Sequence, residues 1–191
     1  MALSRFGDYI ELIDERNRDG LYDTDNLRGI SINKIFTSTK ADTSNLNLKP
    51  YKIVRHNQFA YCTVTSRNGN KISLAYNDGD DCIVSSINPV FRVKDETKLL
   101  PRYLMMFFNC SEFDRYARFN SWGSARETIS LDEIEQTEIA IPELQVQQSI
   151  VEVLKIYDKR IEYRDELKQY ISGVCPILIR GSIDEANGAK R

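Results

Sequence analysis

Two short stretches of this sequence carry side chains of the types that hydrogen-bond to nucleic acids. The first is Arg67-Asn68-Gly69-Asn70-Lys71, and the second is Gly123-Ser124-Ala125-Arg126. Arginine and lysine bind phosphate oxygens, while arginine, asparagine and serine also match the hydrogen-bonding edges of bases. The two stretches therefore have the side-chain chemistry that DNA contacts require. Arg126 has an alternative, which is to pair with the neighbouring Glu127 or to close the domain.

Positive charge is concentrated in one part of the chain. The formal net charge is −2 at pH 7, but residues 28–76 contain eight cations and one anion. Residues 127–143 contain six anions and no cation. Such asymmetry lets one face attract a polyanion, and an unevenly charged, solvated surface is the alternative. The candidate DNA contacts are Arg28, Lys34, Lys40, Lys52, Arg67, Asn68, Lys71, Ser124 and Arg126.

Residues that would support catalysis are few. His56 is the single histidine, and the sequence shows no partner that would make it a general base. Asp81, Glu96 and Lys98 imitate the carboxylate and lysine spacing of a nuclease. Asp95-Glu96-Thr97-Lys98 is, however, also typical of a charged loop before a helix, because short motif matches are weak signals. A nuclease-like enzyme using these three residues remains an alternative.

The sequence contains no motif for a cofactor or a metal ion. A glycine-rich phosphate loop is missing, and Asn88-Pro89-Val90 only approaches the Asn-Pro-Pro-aromatic signature of amino-methyltransferases. Cys62, Cys82, Cys110 and Cys175 lie far apart, which favours buried free thiols over a zinc site or a disulfide scaffold. We therefore expect no catalytic residue, no metal site and no cofactor in this chain.

Strand-like patterns fill the first half of the chain and would position the first polar stretch. β-branched and aromatic residues recur there as in half-buried strands. Ile30, Ile32 and Ile35 are spaced for one buried face. Strands are predicted for residues 27–36, 51–54, 58–64, 82–86 and 90–93.

Asn68-Gly69 gives the most specific local prediction. Flanked by Val64 and Ile72, it predicts a tight hairpin, because a type I′ turn needs positive φ at both central residues. Arg67 and Lys71 would then lie side by side at the hairpin tip. A second hairpin is predicted through residues 77–81.

Helical signals begin at Pro101. A helix is predicted for residues 101–109, followed by a second helix that Ser111 is able to cap. Ser130 and Glu133 match a capping box and predict a single helical turn from Leu131. A strand at residues 137–141 and a proline stop then precede the last helix.

A long amphipathic helix is predicted to begin near Gln145. Its apolar residues are spaced four, three and four residues apart, which suits a coiled-coil seam. A seam of this length packed only on its own domain would leave apolar area exposed, so a partner helix is the simpler hypothesis. Gly173 and Pro176 are predicted to end the helix. The seam for dimerisation and partner docking consists of Ile150, Leu154, Tyr157 and Ile161.

The composition is typical of a soluble globular protein, with 41% hydrophobic and 28% charged residues. The longest apolar runs are far shorter than the roughly 20 residues of a membrane span. The N-terminus lacks a continuous signal-peptide core. We therefore expect a cytoplasmic protein that makes no membrane contact.

In the order of these segments, the chain resembles one repeat of the specificity subunit of type I restriction-modification systems. Such a repeat has one target recognition domain followed by one conserved helical region. The resemblance covers essentially the whole chain, and the order and spacing of its motifs are more specific than any single motif. The motifs are Gly7-Asp8-Tyr9, Gly29-Ile30-Ser31, Arg67-Asn68-Gly69-Asn70-Lys71-Ile72, Gly123-Ser124-Ala125-Arg126, Ile139-Ala140-Ile141-Pro142-Glu143-Leu144, Gln148-Ser149-Ile150-Val151, and Asp158 with Ile161.

The resemblance implies a DNA-reading subunit that holds two methyltransferase subunits, and in the full complex restriction subunits, on a bipartite target. The methylated base would usually be adenine and the methyl donor S-adenosylmethionine, both handled by the partner methyltransferase. Gln147 stands where the family often has glutamate beside Gln148, which we take as a minor difference.

The departure from the family is size. The usual subunit carries two recognition domains and two long antiparallel helices, whereas this chain has one of each. It either forms a homodimer, in which each copy reads one half-site of a palindromic bipartite sequence, or it is a truncated, silent or excised half.

The sequence therefore predicts an α+β protein. Residues 1–141 would form a curled, mostly antiparallel β target recognition domain with flanking helices, residues 142–181 a coiled-coil-like helix for dimerisation and partner docking, and residues 182–191 a loose tail. The predicted function is non-catalytic, sequence-specific recognition of double-stranded DNA. Besides the nuclease, the alternative is a protein-only interaction adaptor, which would show no salt-dependent DNA binding. Which bases are read does not follow, because direct readout depends on loop geometry.

Overall fold

The computed structural model describes residues 3–39, 46–66 and 68–188. The chain separates into two compact units, Met1–Gln148 and Ser149–Arg191. The strands are β1 (Leu3–Arg5), β2 (Ile10–Ile13), β3 (Arg28–Ile30), β4 (Phe36–Ser38), β5 (Lys52–Val54), β6 (Gln58–Tyr61), β7 (Leu74–Tyr76), β8 (Cys82–Val84), β9 (Val90–Val93) and β10 (Glu138–Ala140). The α-helices are α1 (Pro101–Asn109), α2 (Ser111–Phe119), α3 (Leu131–Glu135) and α4 (Leu144–Gly188), with 3-10 turns at Phe6–Asp8 and Thr24–Asn26.

The strands of the first unit pair antiparallel. Four of them form a sheet in the order β2-β9-β6-β7, and the others pair as β1 with β10, β3 with β4, and β5 with β8. Helices α1, α2 and α3 complete this unit, and α4 is long. The predicted α+β class, with antiparallel strands, accompanying helices and a long C-terminal helix, is confirmed.

Strand β6, one of the two inner strands of the sheet, is buried on both faces. Phe59 and Tyr61 belong to the larger apolar cluster, whereas Ala60 between them belongs to a second cluster. The alternation follows from the pleat, which points successive side chains to opposite faces. Phe59 stacks on Phe91 of β9 with ring centroids 5.1 Å apart, and Phe108 of α1 packs edge-on against both rings. An aromatic core therefore joins the sheet to α1.

Residues 27–36 were predicted to form one strand, but they form the hairpin of β3 and β4. The Lys34 N–H donates to the Ser31 carbonyl at 3.0 Å, and Lys34 has a φ of +62°. The turn exposes Ile32 and Ile35 instead of burying them. The prediction is wrong because the isoleucine spacing crosses a turn whose polar residues were counted within the strand.

The predicted hairpin around Asn68-Gly69 exists, but its turn is not tight. β6 and β7 pair antiparallel, and residues 62–73 connect them. Within this connection the Asn68 N–H donates to the Thr65 carbonyl at 2.9 Å, and the Lys71 N–H donates to the Asn68 carbonyl at 3.2 Å. Gly69, with a φ of +61°, thus lies inside the turn that starts at Asn68. Two consecutive turns replace the two-residue turn.

The second predicted hairpin is wrong, because β7 pairs with β6 whereas β8 pairs with β5. Asn77 explains how the chain changes sheets. Its side-chain amide donates to the Val54 and Asp80 carbonyls at 3.0 Å each, and its oxygen accepts from the Gly79 N–H at 3.2 Å. This buried asparagine redirects the chain from β7 towards the neighbouring sheet.

Helix starts were predicted more accurately than helix ends. α1 begins at Pro101. Ser130 is the N-cap residue of α3, and its hydroxyl accepts from the Glu133 N–H at 3.2 Å. Cys110, not Ser111, is the N-cap residue of α2. The predicted stop of α4 at Gly173 and Pro176 is wrong, because the helix continues to Gly188. A proline inside a helix removes one backbone hydrogen bond, but that loss is local and the following residues stay helical.

The predicted loose tail is wrong as far as the described residues go, since residues 182–188 belong to α4. The remaining tail residues, 189–191, lie outside the described part of the chain. Within the described residues, none of the helices combines the length and the hydropathy that a membrane span requires.

The cysteines differ in burial, although all four were expected inside. Cys82 is buried, Cys62 is half-buried, and Cys110 and Cys175 are exposed. Burial raises the pKa of the Cys82 thiol to about 11. Of the four cysteines, only Cys82 is therefore a buried, unreactive thiol, which was the prediction for all four.

Gln147 fixes the first turn of α4 within the first unit, so its presence is not a minor difference. The side chain is fully buried. Its oxygen accepts from the Leu100 N–H at 2.8 Å, and its amide donates to the Lys98 carbonyl at 2.7 Å and the Pro142 carbonyl at 2.8 Å. A buried glutamate carboxylate would face the same two carbonyls without a proton to donate.

We expect Gln147→Glu to lower the free energy of unfolding at pH 7 by about 2–3 kcal/mol, since two buried acceptors lose their donor. The loss should be smaller at pH 4, where a protonated glutamic acid keeps one donor. Urea unfolding at both pH values measures it. The control is Gln148→Glu, which makes the same change at an exposed neighbour. Equal stability of the Gln147→Glu variant and the wild type at pH 7 would contradict this role.

Candidate nucleic-acid interface

The two polar stretches lie side by side because their backbones are hydrogen-bonded to each other. We call residues 62–73 the tip loop and residues 122–128 the closed loop. The Thr65 N–H donates to the Glu127 carbonyl, and the Ile129 N–H donates to the Thr63 carbonyl, both at 2.9 Å. Val64 and Thr128 form an antiparallel bridge between these bonds. Residues more than sixty positions apart in sequence are thus joined into one surface.

The closed loop is also hydrogen-bonded to itself. The Trp122 N–H donates to the Thr128 carbonyl at 3.0 Å, and the Thr128 N–H donates to the Trp122 carbonyl at 2.9 Å. Gly123 makes the path between them possible. Its φ is +143°, and a Cβ there would lie 2.2 Å from the Arg126 carbonyl oxygen. Glycine is therefore required at this position.

Arg126 does not pair with Glu127, which was its predicted alternative. The Glu127 carboxylate accepts two hydrogen bonds from Arg118, one of them from Nη2 at 3.1 Å. This pairing raises the pKa of the Arg118 guanidinium. Arg126 is exposed, and within the described residues its side chain has no hydrogen bond or ion pair. Its guanidinium is left available for a ligand.

The other predicted contacts of these loops have mixed environments. Ser124 and Lys71 are exposed, whereas Asn68 is half-buried and its amide donates to the Val64 carbonyl at 3.2 Å. A surface depression between the loops is lined by Val64, Ser66, Ala125 and Arg126. Ser66 was not among the predicted DNA contacts. Its position next to Arg67 in the sequence is the signal that could have identified it. Arg67 itself lies outside the described residues.

Lys34 was predicted to contact DNA, and the structure contradicts this. Its ammonium group is buried, donates to the Phe108 carbonyl, and forms an ion pair with Asp114 at 2.6 Å. The ammonium also lies 5.7 Å from the centre of the Phe113 ring. Burial lowers the pKa of Lys34, while Asp114 opposes that shift. Lys34 is a structural residue because its charge is used inside the fold.

Two further predicted cations, Lys52 and Arg28, are also engaged within the protein. The Lys52 side chain is largely buried and lies 3.5 Å from the Asp14 carboxylate. Arg28 is half-buried, and its guanidinium donates to the Asp25 carbonyl at 2.6 Å and the Leu27 carbonyl at 3.1 Å. Lys52 as a DNA contact is therefore contradicted, and Arg28 is engaged. Lys40 lies outside the described residues.

Most of the described cations of residues 28–76 are thus engaged within the protein. Besides the lysines already described, Arg55 forms ion pairs with Glu15 at 2.5 Å and Asp81 at 2.6 Å. Counting charges along the sequence missed these pairs, because their acidic partners lie outside the counted range. Among the described residues of the two loops, the exposed cations are Lys71 and Arg126.

The three nuclease-like residues are held by different partners. Burial opposes ionisation of Asp81, but hydrogen bonds from Tyr22 and Arg55 outweigh it and lower its pKa. Glu96 accepts from the Asn57 amide at 3.3 Å, and Lys98 lies 3.5 Å from Asp95. Across the described part of the chain, no group of three or more His, Cys, Asp or Glu residues is arranged to hold a metal ion.

The seam residues of α4 lie along a helix with much exposed apolar surface. Tyr157 and Ile161 are exposed, whereas Ile150 and Leu154 are half-buried. None of the three apolar clusters of the described residues includes a residue beyond Ile141. Further exposed apolar residues of the helix are Val153, Ile156, Tyr163, Leu167, Tyr170, Ile171, Ile177, Leu178 and Ile179.

The model of one protein family, described as type I restriction modification DNA specificity domain, matches residues 31–172. The chain belongs to this family. The resemblance inferred from the sequence is thereby confirmed, and members of this family are in general non-catalytic specificity subunits. No curated protein matches the sequence.

Solved structures share the fold of this specificity domain. The HsdS subunit from Thermoanaerobacter tengcongensis matches with a TM-score of 0.58 and 18% identity, over 89% of this chain and 45% of that chain. The type I restriction-modification S subunit from M. genitalium matches with a TM-score of 0.53 and 13% identity, over 84% and 40% of the two chains. A chain from a study of complex assembly and conformational transition of the type I R-M system has a TM-score of 0.50 and 16% identity, over 84% and 39%. These identities show the fold alone, and the specificity domain spans less than half the length of each matched chain.

The buried Lys34–Asp114 ion pair should contribute more to the free energy of unfolding than an exposed ion pair does. We expect Lys34→Met to lower the free energy of unfolding by about 3–5 kcal/mol, because it leaves a buried carboxylate without its cation. The double variant Lys34→Met/Asp114→Leu should lose less than the sum of the single losses. Urea unfolding of the full chain measures both.

The control is Arg115→Met, which breaks the exposed Arg115–Glu112 pair on α2, the helix that also carries Asp114. That change should cost less than about 1 kcal/mol. Equal losses for the buried and the exposed pair would show that Lys34 has no special structural role.

Proposed function

We propose that this specificity domain recognises a DNA sequence and directs partner methyltransferase subunits, and in the full complex restriction subunits, to a bipartite target. The observation that carries the proposal is the pair of hydrogen-bonded loops, which presents Arg126 without a partner among the described residues. Residues 1–141 would be the DNA-reading domain, and residues 142–181 the region for dimerisation and partner docking.

The geometry of the paired loops suits recognition of base edges. Arg126 can donate two hydrogen bonds to a guanine, and Ser124 and Asn68 carry both donors and acceptors. Lys71 would bind a phosphate and fix the position of the loops on the duplex. Because main-chain hydrogen bonds already hold both loops, little backbone ordering would be needed when DNA binds.

Catalysis would belong to the partner. The methyltransferase subunit would bind S-adenosylmethionine and transfer the methyl group to adenine, while this chain binds no cofactor and acts by placing the partner on the DNA. A protein with this role would act in the cytoplasm, where it meets the DNA and the other subunits. A protein-only adaptor is the alternative that the experiments below separate.

Methylation profiling of cells that carry this chain with a type I methyltransferase tests the proposal. We expect methylated adenines at one bipartite motif. Arg126→Ala should abolish the motif or relax it at one base pair, which corresponds to a loss of about 1–3 kcal/mol in discrimination. The control is Arg18→Ala, which removes the same charge from an exposed arginine between β2 and β3. Methylation that does not depend on this chain would overturn the proposal.

We further propose that α4 forms a helix pair with a second copy of the chain, so that a homodimer reads two half-sites. The support is the apolar seam of Ile150, Leu154, Tyr157 and Ile161 and the exposure of its last two residues. A helix that exposes this many large apolar side chains is stabilised when another helix covers them.

We expect Tyr157→Glu to weaken the dimer, because it places a carboxylate in the seam. Light scattering at micromolar concentration would show a shift from two chains towards one. Lys159→Gln changes the net charge by the same amount at an exposed polar position and should leave the mass unchanged. A wild-type chain that is strictly monomeric, and that also binds no methyltransferase, would rule out the seam.

A further inference from the structure

Two large aromatic side chains lie exposed next to the paired loops. Phe119 is 76% exposed and Trp122 is 65% exposed. Their ring centroids are 6.5 Å apart, and their planes are inclined at 68°. Neither residue belongs to the three apolar clusters of the described residues. They contact each other edge to face instead of folding into the core.

Both residues are attached to fixed backbone. Trp122 exchanges two main-chain hydrogen bonds with Thr128. Phe119 is the last residue of α2, and the following turn is held by Ser121, whose hydroxyl donates to the Ala117 carbonyl at 2.6 Å, and by Asn120, whose amide donates to the Tyr116 carbonyl at 2.9 Å. The aromatic pair is thus presented at a defined position, which lowers the entropic cost of using it in binding.

The charge around the aromatic pair favours a polyanion as the ligand. Arg126 lies in the same loop as Trp122 and keeps its guanidinium free of described partners. The nearest carboxylate in the loop, Glu127, is neutralised by Arg118. An apolar pair beside a free cation suits a ligand that carries flat apolar surfaces and negative charge together, and a nucleotide has both.

We propose that Phe119 and Trp122 form an aromatic wedge that packs against a base or deoxyribose of the bound duplex. Aromatic and apolar side chains are used in this way when proteins insert between base steps or stack on exposed bases. The inference rests on the proposed function and adds to it a contact that depends on ring surface and not on charge. The occupant is DNA, and a methyltransferase surface is the competing occupant that the test must exclude.

The sequence offers a direct probe, because Trp122 is the single tryptophan of the chain. Acrylamide quenching of its fluorescence should be measured in the full chain alone, with a tryptophan-free variant of the methyltransferase, and with that partner plus DNA. The duplexes are one that carries the motif found by methylation profiling and a scrambled duplex of equal length. Anisotropy of a label on the duplex reports binding independently.

We expect the quenching constant to fall severalfold when the motif duplex binds, and to change little with the methyltransferase alone. Protection by the methyltransferase without DNA would overturn the inference, as would full accessibility of Trp122 in a complex that anisotropy shows to be formed. If no duplex binds under any condition, the proposed function fails and takes the inference with it. The last two outcomes separate the two hypotheses.

Substitutions give a second, independent measurement. Trp122→Ala and Phe119→Ala should each weaken binding of the motif duplex by between about fivefold and a hundredfold, whereas Trp122→Phe keeps a ring and should recover most of the affinity. The slope of affinity against salt should stay unchanged, because no phosphate contact is lost. Lys71→Ala, in contrast, should reduce that slope, because Lys71 is the proposed phosphate contact.

Leu21→Ala is the matched control, since Leu21 is equally exposed but lies between β2 and β3. Its affinity should equal that of the wild type. Circular dichroism of each variant shows whether the fold is retained. Wild-type affinity of a folded Trp122→Ala variant would overturn the wedge.

Discussion

The candidate interface depends on the buried ion pair of Lys34 and Asp114. The ammonium group of Lys34 comes from the turn between β3 and β4, and the carboxylate comes from α2. The same carboxylate oxygen accepts from the Ile72 N–H at 3.2 Å, at the end of the tip loop. Three segments distant in sequence therefore meet at one oxygen atom. A charge buried in this way must be paired, so the arrangement specifies one position for the tip loop relative to α2.

Further interactions connect this ion pair to the two loops at the surface. α2 carries Arg118, which holds Glu127 of the closed loop, and the closed loop is bonded to the tip loop through main-chain atoms. Each link uses a different interaction: a buried ion pair, a partly exposed ion pair, and backbone hydrogen bonds. Together they form a closed series of contacts that begins and ends at the tip loop. Such closure explains how loops without regular secondary structure present side chains at defined places.

Much of this architecture follows from the sequence, because its signals are local. The start of α1 at Pro101, the Ser130 cap, and the strands β5, β6 and β9 need only propensity and pattern. The pairing of the tip loop with the closed loop could not be derived, since nothing in either stretch encodes its distance from the other. The resemblance to a family supplied the functional hypothesis that local patterns lacked.

Most errors among the predicted DNA contacts concern charged side chains that the fold buries. Lys34 and Lys52 look like surface cations in a sequence, because lysine is rarely buried. What distinguishes them is an acidic residue far away in the chain, such as Asp114, eighty positions after Lys34. Gln147 was similarly undervalued, since its three hydrogen bonds go to backbone groups that carry no signal in the sequence. Pro176 was predicted to end α4, but an exposed helix tolerates the loss of the one backbone hydrogen bond that a proline removes.

Apart from the Thr65 hydroxyl, which donates to the Glu127 carbonyl at 3.2 Å, the hydrogen bonds described between the two loops run between main-chain atoms. These main-chain bonds do not depend on which side chains the loops carry. Exposed positions such as Ser66, Ser124 and Arg126 can change their chemistry while the main-chain bonds beneath them stay intact, provided that Gly123 is kept. Variation and foldability are thereby uncoupled at this surface. Under the proposed function, replacing a handful of these exposed groups would change the preferred DNA sequence without requiring a new fold.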